Sequence, residues 1–278
     1  MTLQERESSA GSPITGGRNK NPILRLEKLD KIFGGLHAVK QVSLEVPEQA
    51  IFGLIGPNGA GKTTLFNVIT GVYKPDGGRV WFDGVDISGE PPARIAARCV
   101  ARTFQNIRLF RAMTVEENVM VAGHHLHQSS VLAAMFRTRA HAEDEARLTK
   151  RARELLDVMG LGEHARAVAG SLPYGSQRRL EIARALMLKP KLLLLDEPAA
   201  GMNSQEAGEL QRQIRFLRDQ MGLTIVLVEH NMAVVMSVCE TVHVVDHGET
   251  IAEGSPERVK KDPAVLAAYL GKSSEAGS

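Results

Sequence analysis

The chain has 278 residues, 43% of them hydrophobic and 24% charged, which places it among ordinary globular proteins able to bury a sizeable core. Its 34 basic and 32 acidic side chains leave a formal charge of +2, too weak a field to recruit nucleic acid or an anionic membrane. No stretch reaches the ~18 apolar residues of a membrane span, and the first twenty residues lack the apolar core of a secretion signal. The expectation is a cytoplasmic protein that meets a membrane only through a partner. Cys99 and Cys239, both in apolar segments, read as reduced core thiols rather than a disulfide or a metal pair.

Residues 1–21 are polar and of mixed charge, the composition of a flexible tail. From Ile23 the apolar residues alternate: Leu24, Leu26, Leu29, then Val39, Val42, Leu44 and Val46. That period predicts antiparallel strands with one buried face, joined through Ile32-Phe33-Gly34-Gly35. The run Ile51 to Ile55 predicts a buried strand, and Leu65 to Ile69 a helix. Between them stands Gly56-Pro57-Asn58-Gly59-Ala60-Gly61-Lys62-Thr63-Thr64, a phosphate-binding loop by pattern and by its flanks. A strand delivering such a turn into a helix start presents free N–H groups and the positive end of the helix dipole to phosphate. Gly56, Gly59 and Gly61 permit close backbone approach and positive φ, Lys62 would reach the β- and γ-phosphates, and the Thr63 hydroxyl would bind Mg²⁺. The loop implies a protein that binds a nucleoside triphosphate.

Breakers at 71–78 lead to a strand over Arg79–Gly84, a short helix over Pro91–Ala97, and a strand from Cys99 to Phe104 that ends at Gln105. From Thr114 to about Met159 the pattern is helical, opened by the capping-box sequence Thr114-Val115-Glu116-Glu117. His124, His125, His127 and His141 cluster there without a cysteine or carboxylate at ligand spacing, so helix-packing or solvent-facing histidines are favoured over a metal site. The core resumes at Ser171. Lys191 to Leu195 is an unbroken apolar run ending in Asp196-Glu197, which predicts a central parallel strand covered on both faces. Ligands of open α/β sheets lie beyond the carboxyl ends of such strands, where both carboxylates fall. A helix over Ser204–Met221 and a strand over Leu223–Val228, ending at Glu229-His230, follow. A helix over Asn231–Val238, strands at Thr241–Val245 and Glu249–Ala252, and short helices near Pro256 and Pro263 complete the chain.

Taken together, Phe33, Gly56–Thr64, Gln105, Leu172–Gln177, Asp196-Glu197, Ala199–Asn203 and His230 stand in the order and spacing of the ATP-binding subunit of an ABC transporter, which the chain resembles from about Leu24 to Leu270. The resemblance implies one α/β domain over 22–278: a RecA-like P-loop NTPase core, an antiparallel β layer, and a helical lobe specific to this family at about 114–175. It implies that Phe33 stacks on adenine, and that Gly56, Pro57, Asn58, Gly59, Ala60, Gly61, Lys62, Thr63 and Thr64 hold the phosphates of ATP. Asp196, Thr63 and Gln105 would serve Mg²⁺, which takes few carboxylates alongside phosphate oxygens. Glu197 would orient or deprotonate the attacking water, with His230 and Gln105 beside it.

The signature segment departs from the family's common Leu-Ser-Gly-Gly-Gln, reading Leu172-Pro173-Tyr174-Gly175-Ser176. Pro173 carries neither the serine hydroxyl nor an N–H. The following Leu180–Leu186 reads as a helix, and the expectation is that its amino terminus, with Ser176 or the Tyr174 hydroxyl beside Gly175, takes over the contact with the γ-phosphate held by a second cassette. That text, with Thr103–Phe110 and Pro198–Asn203, the insertion Gly123–Ala142 and the terminal Ala268-Tyr269-Leu270-Gly271, resembles an ATPase of bacterial branched-chain amino acid importers; urea or amide importers share it. The implied partners are a second ATPase subunit, identical or paralogous, two hydrophobic permease subunits received near Gln105–Met113, and indirectly a periplasmic solute-binding protein. The implied place is the cytoplasmic face of the bacterial inner membrane. A lipid or polysaccharide exporter's ATPase, or a soluble ATP-gated regulator, would share the nucleotide motifs.

Overall fold

The computed structural model describes residues 22–123 and 139–270. The predicted tail, the cluster His124–His127 and most of the predicted insertion lie outside them, as does the His141 side chain. Strands β1 (Pro22–Phe33) and β2 (Leu36–Pro47) form a hairpin. Its register pairs Phe33 with Leu36, so Gly34-Gly35 is a two-residue turn, both at positive φ, as a type I′ turn demands. β3 (Ile51–Ile55) leads through the phosphate loop into α1 (Lys62–Ile69). β4 (Gly77–Phe82) and β5 (Val85–Asp86) precede α2 (Pro92–Ala97) and β6 (Val100–Arg102). Cys99 is therefore not a strand residue: it stands half-buried at φ +67 in the turn before β6. Cys239 is the core thiol, buried against Gly53 and pushed up to about 12 by that burial.

The helical lobe contains α3 (Val115–Ala122) and α4 (Arg139–Val158), then two 3₁₀ turns and α5 (Tyr174–Met187). The Thr114–Glu117 capping box forms in full. β7 (Leu192–Asp196), α6 (Ser204–Met221), β8 (Thr224–Val228), α7 (Met232–Val238), β9 (Thr241–Asp246) and β10 (Glu249–Gly254) follow. Helices α8 (Pro256–Val259) and α9 (Pro263–Leu270) end the described chain.

Two sheets result. One is antiparallel, in the order β2-β1-β4-β5; the other runs β10-β9-β3-β8-β7-β6 and is parallel from β9 to β6. Although β3, β7 and β8 are apolar except for Asp196 and Thr224 at their ends, their residues divide by parity. Ile51, Leu193 and Ile225 enter a core shared with the helical lobe, whereas Phe52, Leu192 and Val226 enter one shared with the antiparallel sheet. Covering both faces is what makes such strands read as continuous apolar runs. The register sets Asp196 level with Val228, Val228 with Leu54, and Arg102 with Leu194. The loops leaving β3, β6, β7 and β8 thus open side by side at one edge of the sheet.

Candidate nucleotide-binding site

At that edge the phosphate loop turns around its glycines. Gly56, Gly59 and Gly61 lie at φ +152, +82 and +104. A Cβ on Gly56 would meet the Val245 carbonyl at 2.0 Å, and one on Gly61 the Ala38 carbonyl at 2.5 Å. Two of the three glycines are thus demanded by the protein's own packing as well as by any ligand, while a Cβ on Gly59 would have nothing within 4 Å. Lys62, 7% exposed, arches back so that its Nζ donates to Gly56 O at 2.7 Å and Pro57 O at 2.9 Å. Thr63 is exposed and Thr64 half-buried.

A cavity of about 630 Å³ opens over this loop. Of the residues predicted for the site, Phe33, Asn58–Thr64, Gln105 and Glu197 line it, and His37, Lys40 and His247, which sequence reasoning did not single out, add basic groups. Helix α1 presents its amino terminus there with no acidic residue in the first turn. The setting suits a polyanion. Phe33 is held at the rim by Tyr73, edge-on with centroids 5.0 Å apart, and by Lys31 Nζ, 5.2 Å from the ring centre.

Two predicted residues converge on a carboxylate oxygen of a third. Gln105 Nε2 stands 3.3 Å and His230 Nδ1 3.7 Å from Glu197 Oε2. Glu197 adopts φ +47, costly for a residue with a Cβ, and its N–H donates to Val228 O at 2.8 Å. Neighbouring Glu229, fully buried, fixes this geometry: its carboxylate accepts from Ala199 N–H at 2.8 Å and Asn231 N–H at 3.4 Å, tying the loop after Glu197 to the one carrying His230. Burial raises the Glu229 carboxyl above its ordinary value, against those two N–H donors. In sequence its only signal was a charge closing an apolar strand.

Asp196, 3% exposed, does not line the cavity. Its Oδ2 accepts from Arg102 Nη2 at 2.8 Å, and Arg102 also donates to Asn67 Oδ1 at 2.6 Å. Sequence reasoning missed Arg102, a strand residue whose partners are distant in the chain.

The signature residues stand apart from the cavity. The helix containing them begins at Tyr174 itself, with Pro173 as N-cap and no side-chain acceptor there. Gly175 and Ser176 are buried, and the Ser176 hydroxyl accepts from Arg179 Nη2 at 3.0 Å. Within the single chain the Ser176 hydroxyl is therefore engaged by Arg179. Tyr174, 46% exposed, is the outward-facing member of the three.

Residues 39–200 match the ABC transporter family, and residues 249–274 match the family described as branched-chain amino acid ATP-binding cassette transporter. The chain is 46% identical over 251 residues to the high-affinity branched-chain amino acid transport ATP-binding protein BraF of Pseudomonas aeruginosa, covering 90% of this chain and 98% of that protein. It is 45% identical, with the same coverage, to the ATP-binding protein LivG of Escherichia coli K12. Among solved structures it is similar to the ADP conformation of the cassette MJ1267, with TM-score 0.78, 33% identity and coverage of 90% of this chain and 99% of that one. It is also similar to the dimeric cassette MJ0796, with TM-score 0.72, 25% identity and coverage of 84% and 98%. Sequence motifs, sheet order and these likenesses agree: the chain belongs to the ABC transporter family, as one of its ATP-hydrolysing ATP-binding subunits.

Proposed function

We propose that this chain binds ATP with Mg²⁺, hydrolyses it at Glu197, and uses the cycle to drive import of branched-chain amino acids through a membrane permease. The observation that carries the chemistry is the meeting of Gln105 and His230 at Glu197 Oε2, beside the cavity over the phosphate loop. Glu197 would take a proton from, or orient, the attacking water, and His230 and Gln105 would fix its carboxylate. Lys62 would exchange its two loop carbonyls for β- and γ-phosphate oxygens, a charge-assisted contact. Phe33 would carry the adenine.

Thr63, Gln105 and Asp196 would hold Mg²⁺. Thr63 lines the cavity and Asp196 closes β7 with one carboxylate oxygen on Arg102, a donor set of one hydroxyl and one carboxylate that fits a cation bound mainly through phosphate oxygens. When bound it would neutralise charge on those oxygens.

The solute assignment is supported by BraF and LivG, which are branched-chain amino acid transport ATP-binding proteins, and by the family match at residues 249–274. A second cassette would supply its signature, led by Tyr174, to this subunit's γ-phosphate; MJ0796 is described as dimeric. No helix among the described residues is long and apolar enough to cross a membrane, so contact with the inner membrane's cytoplasmic face would run through two permease subunits, fed by a periplasmic binding protein. Phe110, 48% exposed in the loop after Gln105, offers them an apolar contact.

Glu197→Gln tests the core of the reading. Nucleotide affinity, followed with a fluorescent ATP analogue, should stay within about threefold, while phosphate release falls at least about a hundredfold, the scale of a lost general base. Parental turnover in that variant would remove Glu197 from its role.

A further inference from the structure

The first turns of α5 contain a charge pair where the helix pattern calls for apolar residues. Arg178 is 2% exposed and Glu181 6%. Burying two charges is costly even when they meet, and an apolar pair often packs as well or better. These two, 3.0 Å apart, have a further engagement. Strand β6 ends at Arg102, and Thr103 N–H makes one more bond to Leu194 O. Beyond it, Arg178 Nη1 donates to Phe104 O at 2.5 Å, Arg178 Nη2 donates to Gln105 O, and Glu181 Oε1 accepts from Phe104 N–H at 3.3 Å. The pair thus supplies the backbone bonds that a strand partner would otherwise make. At its outer end the guanidinium lies 5.8 Å from the ring centre of Tyr174, and that ring packs against Gly201, where a Cβ would come within 3.1 Å of Tyr174 Cε1.

We infer that Arg178 is a positioning residue for Gln105. It makes the amino-terminal turn of the signature helix and the glutamine loop one unit, so that the placement of Tyr174 sets where the Gln105 amide stands against Glu197. The tyrosine that replaces the common glycine then has a purpose inside its own subunit: it covers the guanidinium and touches the loop that follows Glu197. This rests on the role given above to Gln105 and Glu197. It adds a route by which an event at the signature reaches the water-activating carboxylate of the same chain. An arginine suits this place because its planar fork spreads the donors over two nitrogens, Nη1 toward Phe104 O and Glu181 and Nη2 toward Gln105 O, whereas a lysine would bring all its donors on a single nitrogen.

The test compares the full chain with Arg178→Met/Glu181→Leu, which removes the charges while keeping the volume, and with Arg178→Lys. Thermal melting should place the double variant within a few degrees of the parent. Hydrogen exchange of the amides at 104–110 should quicken about tenfold, and kcat for ATP should fall about tenfold with KM within about twofold, the size of losing bonds to a charged donor. Parental exchange at 104–110 together with parental kcat in the folded double variant would overturn the inference. If the double variant does not fold, Arg178→Lys decides by the same two measurements: fast exchange with reduced kcat supports the inference, and parental values overturn it. Should Glu197→Gln retain turnover, the proposed chemistry fails, while the exchange data still report whether Arg178 holds the loop.

Discussion

Glu229 separates two effects that a buried carboxylate combines. Its folded pKa lies above the ordinary 4.5, chiefly through burial, with Ala199 N–H, Asn231 N–H and His230 opposing and the Glu197 charge adding to the rise. A group raised in this way contributes stability that is full below 4.5 and is lost as pH climbs through the folded value. Glu117, lowered by the Thr114 backbone and hydroxyl, acts in the opposite sense, losing its contribution in acid. Glu229→Gln should therefore gain in melting temperature relative to the parent as pH rises from the ordinary carboxyl range through neutral, whatever its offset at one pH. A parallel pair of melting curves would show that Glu229 does not titrate in that window. The phosphate-loop glycines give a second contrast at this scale. Gly59→Ala has space and meets only the strain of φ +82, about 1–2 kcal/mol. Gly56→Ala would also drive a Cβ into the Val245 carbonyl, so it should melt well below Gly59→Ala and lose nucleotide binding. The motif names both glycines; only the packing against β9 distinguishes them.

Among the elements, legibility followed how local the signal was. Helix α6 was readable from about Ser204 to Met221 by the helical spacing of Leu210, Ile214, Leu217 and Met221, and the structure shows what sets its ends: Asn203 and Glu206 form a reciprocal capping box, and Gly222 closes it at φ +65. Asn203→Ala should cost about 1 kcal/mol, within a range of about 0.5–2 kcal/mol, by chemical denaturation. No change in stability would mean that solvent replaces the cap. Strand β7 was readable because four leucines between a lysine and two carboxylates make a run too short for a typical helix and apolar enough for a strand covered on both sides. Leu193→Ala, at 0% exposure, should cost about 2–5 kcal/mol in the same assay. The start of α5 was harder. Pro173 marks a boundary, but the polar run Tyr174–Arg179 conceals that the helix already begins there and that its charged side chains face inward. Arg102 and Arg178 escaped for a related reason: their partners, Asp196 in one case and Phe104 and Gln105 in the other, lie more than seventy positions away. Cys99 was misread because a left-handed turn before a strand looks, in one dimension, like the strand itself.

At the scale of the whole molecule, parallel register explains why residues scattered from Gly56 to His230 meet at one sheet edge, and why the signature does not join them. Tyr174 opens a helix of the other lobe and is absent from the lining of the cavity over its own phosphate loop. A site completed by a second cassette accounts for an exposed tyrosine at this position, since among the described residues its inner face is used, against Arg178 and Gly201. Association should then depend on bound ATP and persist while hydrolysis is blocked. The Glu197→Gln chain, alone or mixed with a companion cassette, should double its mass in light scattering when ATP is added and return to monomer when ATP is removed. Lys62→Ala should stay monomeric at the same ATP concentration, and Tyr174→Ala should weaken association while still binding nucleotide. If Glu197→Gln remained monomeric in both settings with ATP bound, Tyr174 would have no second nucleotide to meet, and its exposed face would belong to some other surface of the transporter.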